Sequence, residues 1–215
     1  MEKIITVVGT TASGKSDLGI VLAKKFNGEI VSCDSRQVYK GLDLGTGKVT
    51  LEEQNEVKHH LLDIKKPNEK FSLAEYQKLA YRSINDILAR KKVPFLVGGT
   101  GLYSRAVTEG YNLSEEEDDP ALREEINGMK TEEIVEKLKR FGEDVPEGLS
   151  PRHLSRRLEK AMKGVAATQN KQIYDYLQLI PVFPRDILYN RIELRLDARL
   201  DAGMVEEVKR LKEQG

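Results

Sequence analysis

The chain of 215 residues is long enough for one full α/β core with a small appended subdomain. Thirty-five Lys and Arg residues balance thirty-five Asp and Glu, so net charge gives no whole-molecule argument for nucleic acid, and any such surface must come from local clustering. Cys33 is the one cysteine, which excludes an internal disulfide framework and a cysteine-rich zinc site; the N-terminal apolar run is too short to span a bilayer, and a cytoplasmic protein without a membrane segment is expected.

Ile4-Ile5-Thr6-Val7-Val8 is apolar and β-branched, as a buried strand requires. It runs into Gly9-Thr10-Thr11-Ala12-Ser13-Gly14-Lys15-Ser16, which fits G-x-x-x-x-G-K-[ST], and then into Asp17 to Lys24, whose apolar positions recur at helical spacing. Strand, loop and helix in that order give the pattern its meaning. The glycines let the backbone curl so that successive N–H groups face a phosphate, and the helix start adds partial positive charge. Lys15 then reaches the outer phosphate oxygens and Ser16 can ligate a magnesium ion, so residues 9–16 are assigned to a di- or triphosphate.

Glu29 to Cys33 reads as a second strand ending at Asp34-Ser35-Arg36-Gln37-Val38-Tyr39, which sets the Asp34 carboxylate at a strand end, where open α/β sheets bind ligands. Gly41 to Lys48 and His60 to Ile64 read as loops flanking that cleft. His59 and His60 are adjacent on an extended segment, so they point opposite ways and are read as structural or pocket-lining rather than as metal ligands. Ser72-Leu73-Ala74-Glu75 is a capping box, and Leu79, Ile84, Ile87 and Leu88 continue an amphipathic helix to about Arg90. A buried strand, Val93 to Val97, follows and ends in Gly98-Gly99-Thr100-Gly101-Leu102-Tyr103, which makes a βαβ rhythm.

From about Asn112 to Lys163 the strand-like runs vanish. An acidic block, Ser114 to Asp119, precedes helical patterns at Leu122 to Met129 and Glu132 to Phe141, and a basic segment from Ser150 to Lys160 closes the region. Residues 112–163 are therefore read as a helical insertion in a core made of 1–111 and 164–215. Within that core, Ile180-Pro181-Val182-Phe183 reads as a strand. Ile187 to Lys212 reads as helix with a break at Gly203. Arg195 has Asp197 and Arg199 nearby, so a surface ion pair competes with a role in a site.

Taken in order, the phosphate loop, residues 34–39, Gly45-Thr46-Gly47-Lys48, residues 98–103, and Tyr189-Asn190-Arg191-Ile192-Glu193-Leu194-Arg195 followed by Gly203 and Glu206-Glu207-Val208 resemble the tRNA dimethylallyltransferases, also called tRNA isopentenyltransferases. The resemblance implies an α/β, P-loop NTPase-like, largely parallel sheet flanked by helices, with a helical insertion subdomain. It implies transfer of a dimethylallyl group from dimethylallyl diphosphate to the exocyclic amine of the adenine beside the tRNA anticodon; Mg²⁺ as cofactor and a monomer are expected. By that resemblance Asp34, Thr100 and Arg195 are catalytic, and Asp34, Ser35, Arg36, Gln37 and Thr100 hold the extruded base. Arg123, Arg152, His153, Leu154, Ser155 and Arg156 match positions presented to tRNA, and Ser16 is the metal ligand. Family members continue beyond the position matching Gly215 with further helices, a Gly-Tyr motif and a basic segment, so weaker tRNA binding is expected of this chain. A P-loop small-molecule kinase of the shikimate type and an adenylate isopentenyltransferase are the competing readings; the whole 34–39 motif and the basic insertion stand against them.

Overall fold

Among the residues that the computed structural model describes, 1–113, 119–146, 148–164 and 170–214, five strands form one sheet in which every pairing is parallel. In chain order they are β1 (Lys3–Val8), β2 (Gly28–Ser32), β3 (His59–His60), β4 (Val93–Gly98) and β5 (Asp175–Leu179), and in space the order is β3-β2-β4-β1-β5. Chain order and spatial order part company at β4, which returns to lie between β2 and β1. The loops after β1, β2 and β4 therefore emerge side by side at one edge, the position where doubly wound sheets bind ligands.

The strands are apolar because helices cover the sheet. Val7, Ile30, Phe95 and Val97 pack with Ile20 and Ala23 of α1 (Lys15–Lys25), while Ile4, Val31 and Leu96 pack with Tyr76, Ala80, Ile84 and Ile87 of α3 (Leu73–Ala89). Ser72 caps α3 by accepting from the Glu75 N–H at 3.0 Å, which is one half of the expected capping box; the Glu75 carboxylate pairs instead with Lys65 at 2.8 Å. Between these helices lies α2 (Leu51–Glu56), which the chain-order reading passes over although Thr50 and Glu53 form a reciprocal capping box. After β4 the chain enters α4 (Gly101–Thr108), and the core ends in α8 (Arg185–Asp201) and α9 (Met204–Glu213), divided at Gly203 as expected.

Two expectations change. The strand expected at Ile180 to Phe183 lies earlier, at β5, because Pro181 and Pro184 lack the N–H groups that a parallel ladder needs, whereas 175–179 can pair with β1. The segment 60–64, read as loop throughout, gives up His60 to β3, which pairs with Ile30 and Val31 before the chain turns at Leu61 and Asp63.

The chain divides into two compact units, residues 1–113 with 170–215 and residues 114–169. The second contains α5 (Pro120–Asn127), α6 (Thr131–Arg140) and α7 (Pro151–Met162), closed over Ile126, Ile134, Leu138, Leu154 and Leu158. The acidic block at 114–118 lies outside the described residues; Asp119, its last member, caps α5 by accepting from the Leu122 N–H.

Candidate functional site

The phosphate loop joins β1 to α1. Gly14 occupies the left-handed region at φ 71° as the residue before α1, and Ala12 shares that region at φ 59°, which for a side chain with a Cβ is strained backbone of the kind found at binding loops. Ser13 is buried and its hydroxyl donates to the Thr10 carbonyl at 2.9 Å, bracing the curl from inside. Among the described residues no side chain caps α1, so its first-turn N–H groups are available to an anion. Lys15 donates to the Thr10 carbonyl and lies over Gly99. Partial burial lowers its pKa from the ordinary lysine value; the positive charge of Arg195 lowers it further, and Asp34 and Cys33 oppose the shift.

At the end of β2, Asp34 accepts the Arg36 N–H on Oδ1 at 2.8 Å, a local turn in which, among the described residues, the other carboxylate oxygen takes no hydrogen bond. Thr100 stands opposite. Its Oγ1 accepts the Ser35 N–H at 3.1 Å and donates to Ser35 Oγ at 3.4 Å, and its own N–H donates to the Cys33 carbonyl at 3.2 Å. Thr100 thus ties the end of β4 to the Asp34 turn. Cys33 is fully buried at the same junction, and its N–H donates to the Val97 carbonyl.

Arg195 comes to this group from α8, donating to the Gly47 carbonyl at 3.2 Å; Gln37 Nε2 donates to the same oxygen at 3.2 Å. The ion pair with Asp197 weighed from sequence does not form among the described residues. Arg191 and Arg199, one helical turn to either side, were not singled out as site residues. They belong to it: Arg191 lies beside Gly14 and stacks over the Phe183 ring at 4.9 Å, and Arg199 packs on Gly47. The spacing 191, 195, 199 sets all three on one helix face and was the available signal. Burial first, then Arg195, lowers the Arg199 pKa from its ordinary value. Among the described residues none of these arginines forms a salt bridge, so they and Lys15 make a cationic cluster that an anion would relieve.

A cleft of about 920 Å³ is lined by Lys15, Ser16, Asp34, Gln37, Arg195 and Arg199. A second, of about 810 Å³, shares Lys15, Ser16, Arg195 and Arg199 with the first and adds Gly14, Thr50 and Arg191. Lys15, Arg195 and Arg199 therefore line both clefts, and Arg191 the second alone. Among the described residues no group of three or more His, Cys, Asp or Glu side chains could hold a metal unaided. Ser16 lines both clefts, and a hydroxyl there suits a magnesium ion that takes its other ligands from phosphate and water.

In the helical unit, Arg123 pairs with the largely buried Glu159 at 3.2 Å, His153 bonds Ser150 Oγ at 2.8 Å, and Arg152 and Arg156 are exposed. Arg123, Arg152 and Arg156 line one groove of about 450 Å³ together with Ser155. Leu154 faces the other way, into the core, at 3% exposure, so its side chain is packing rather than a contact surface.

A family model described as IPP transferase matches residues 37–215. The tRNA dimethylallyltransferase of Bacillus pumilus (strain SAFR-032) is 41% identical over 229 residues, spanning 100% of this chain and 72% of that protein. The crystal structure of the full-length tRNA isopentenylpyrophosphate transferase from Bacillus halodurans superposes with a TM-score of 0.71 at 38% identity, over 100% of this chain and 71% of that one. A eukaryotic dimethylallyltransferase captured acting on tRNA gives a TM-score of 0.84 at 26% identity, over 100% of this chain and 56% of that one.

Proposed function

The chain belongs to the IPP transferase family, and from that premise we propose that it transfers a dimethylallyl group from dimethylallyl diphosphate to the exocyclic N6 of the adenine following the anticodon in tRNA. The observation that carries this reading is the meeting of a carboxylate and a cationic cluster in one cleft, lined by Asp34, Lys15, Arg195 and Arg199. A kinase would need the cations equally, but the basic groove of the helical unit, lined by Arg123, Arg152 and Arg156, favours a polyanionic acceptor over a small hydroxyl compound.

In the reaction N6 attacks the allylic carbon, the carbon–oxygen bond to diphosphate breaks, and N6 loses a proton. Asp34 takes that proton on the oxygen left free by its turn. The leaving diphosphate gains negative charge as the bond breaks. Lys15, Arg195, Arg199 and the first-turn N–H groups of α1 meet that charge without having to reorganise. Ser16 would hold magnesium, which neutralises diphosphate charge when bound. Thr100 acts by fixing the Asp34–Ser35 turn, a positioning role. The adenine must leave its stack to enter, at a cost of a few kcal/mol in general, which an anticodon loop lowers. In the helical unit Arg123, Arg152, His153, Ser155 and Arg156 offer phosphate contacts that orient tRNA without reading sequence.

The test is incubation with Mg²⁺, dimethylallyl diphosphate and unmodified tRNA carrying adenine after its anticodon, followed by mass spectrometry of the nucleosides. Prenylated adenosine from the wild type and none from Asp34→Ala supports the reading. Absence of product with the wild type, alongside phosphorylation of a small hydroxyl acceptor by ATP, refutes it.

A further inference from the structure

Two motifs, Gly45-Thr46-Gly47-Lys48 and Glu206-Glu207-Val208, have no part in the chemistry above, yet the fold brings them together. Glu207 lies in the first turn of α9, is 5% exposed, and spends its carboxylate on three successive backbone N–H groups: Asp43 at 3.1 Å and Leu44 at 2.8 Å on Oε2, Gly45 at 2.9 Å on Oε1. The loop so held closes on itself through Gly47 N–H to the Leu44 carbonyl at 3.1 Å. Its far end presents the Gly47 carbonyl, the shared acceptor of Arg195 and Gln37.

We propose that Glu207 is a positioning residue for the transfer reaction, anchoring the 43–47 loop so that the Gly47 carbonyl aims the Arg195 guanidinium at the diphosphate and Gln37 at the base side of the cleft. The inference rests on the proposed function, since it is diphosphate that Arg195 is aimed at. A carboxylate suits the task because convergent N–H donors select an anion with two acceptor oxygens. An amide in its place turns one acceptor into a donor against donors. The loop then loses its fixed end, and Arg195 samples orientations that miss the ligand.

The experiment compares wild type, Glu207→Gln and Glu207→Asp, each alone and combined with Arg195→Ala, by titration calorimetry with inorganic diphosphate and Mg²⁺ well below the melting temperature. Glu207→Gln is expected to weaken binding about tenfold in the wild-type background and less than twofold with Arg195→Ala, the non-additivity of coupled residues. Glu207→Asp, which keeps the charge, should recover part of the loss, and amide exchange at 43–45 should quicken in the Gln variant. Equal affinities for wild type and Glu207→Gln, or the same loss in both Arg195 backgrounds, would overturn the inference while leaving the proposed function intact. A wild-type chain that binds no diphosphate would instead overturn the proposed function.

Discussion

Gly47→Ala reads the cost in stability and the cost in ligand binding in one variant. Gly47 sits at φ +61°, and a Cβ built there would lie 1.6 Å from Arg199 Nη2 and 2.7 Å from Arg195 Nη2. The left-handed backbone costs an alanine about 1–2 kcal/mol, which for a chain of this size lowers the melting temperature by roughly 2–8 °C. The clash falls on the ends of flexible side chains, so the fold survives by letting both guanidiniums swing away. What is lost is at least one charge-assisted contact to the ligand, about 1.5–3 kcal/mol, or roughly 10- to 150-fold in diphosphate affinity. Gly45→Ala is the control two residues away: its Cβ would meet only Glu207 Oε1, at an ordinary 3.5 Å. Calorimetric titration with diphosphate beside a thermal melt in the same buffer reads both quantities. A Gly47→Ala protein that melts lower but binds within threefold of wild type would refute the argument that the loop sets the arginine positions.

Lys15→Met should abolish diphosphate binding yet raise the melting temperature of the ligand-free protein, because the fold holds the ammonium against burial and Arg195; a lower melting temperature would contradict this. Since the folded pKa of Lys15 is lowered, the unfolded chain binds more protons between that value and 10.5, so its contribution to stability rises with pH across that window and should vanish in Lys15→Met. Glu29 is 2% exposed and is held by Arg90, Lys92 and His60, with Arg90 first among the causes that keep its carboxyl well below the usual range. Its contribution is present above the unfolded carboxylate pKa and lost as pH falls through the folded one, so Glu29→Gln should cost about 3 kcal/mol near neutrality in urea melts and flatten the acid limb. Leu158→Ala should loosen the helical unit by about 2–5 kcal/mol and weaken tRNA binding in a filter assay while diphosphate affinity stays unchanged.

What was readable from sequence was whatever is written over a few consecutive residues. The strand, phosphate loop and start of α1 follow from a local pattern, and Asp34 follows from where a strand ends. The resemblance marks Thr100 as a site residue, but its tie to the Asp34 turn has no local trace, because its partner Ser35 lies 65 residues away. The bond from Glu207 to Leu44 spans 163 residues and had no local trace beyond a short motif. Arg191 and Arg199 are legible in principle, since a four-residue spacing marks a helix face, but that spacing alone does not say whether the face meets solvent or a cleft. Leu154 sat inside a basic run whose helical phase decides which members face outward, and packing with Leu158 set that phase. The β5 register turned on prolines that bar pairing, a negative signal weaker to the eye than the apolar letters around them.

Cys33 sits under the junction of β2 and β4, wholly buried, and burial, reinforced by the Asp34 carboxylate, pushes its thiol pKa far above the usual value. Such a sulfur is silent toward alkylating reagents until the two strand ends part. The chain therefore carries its own gauge of how often the Asp34 turn opens: the rate at which iodoacetamide labels the native thiol. Because no other cysteine competes, that rate can be read on unaltered protein, with and without substrate, and every reporter cysteine engineered onto the surface starts from a dark background.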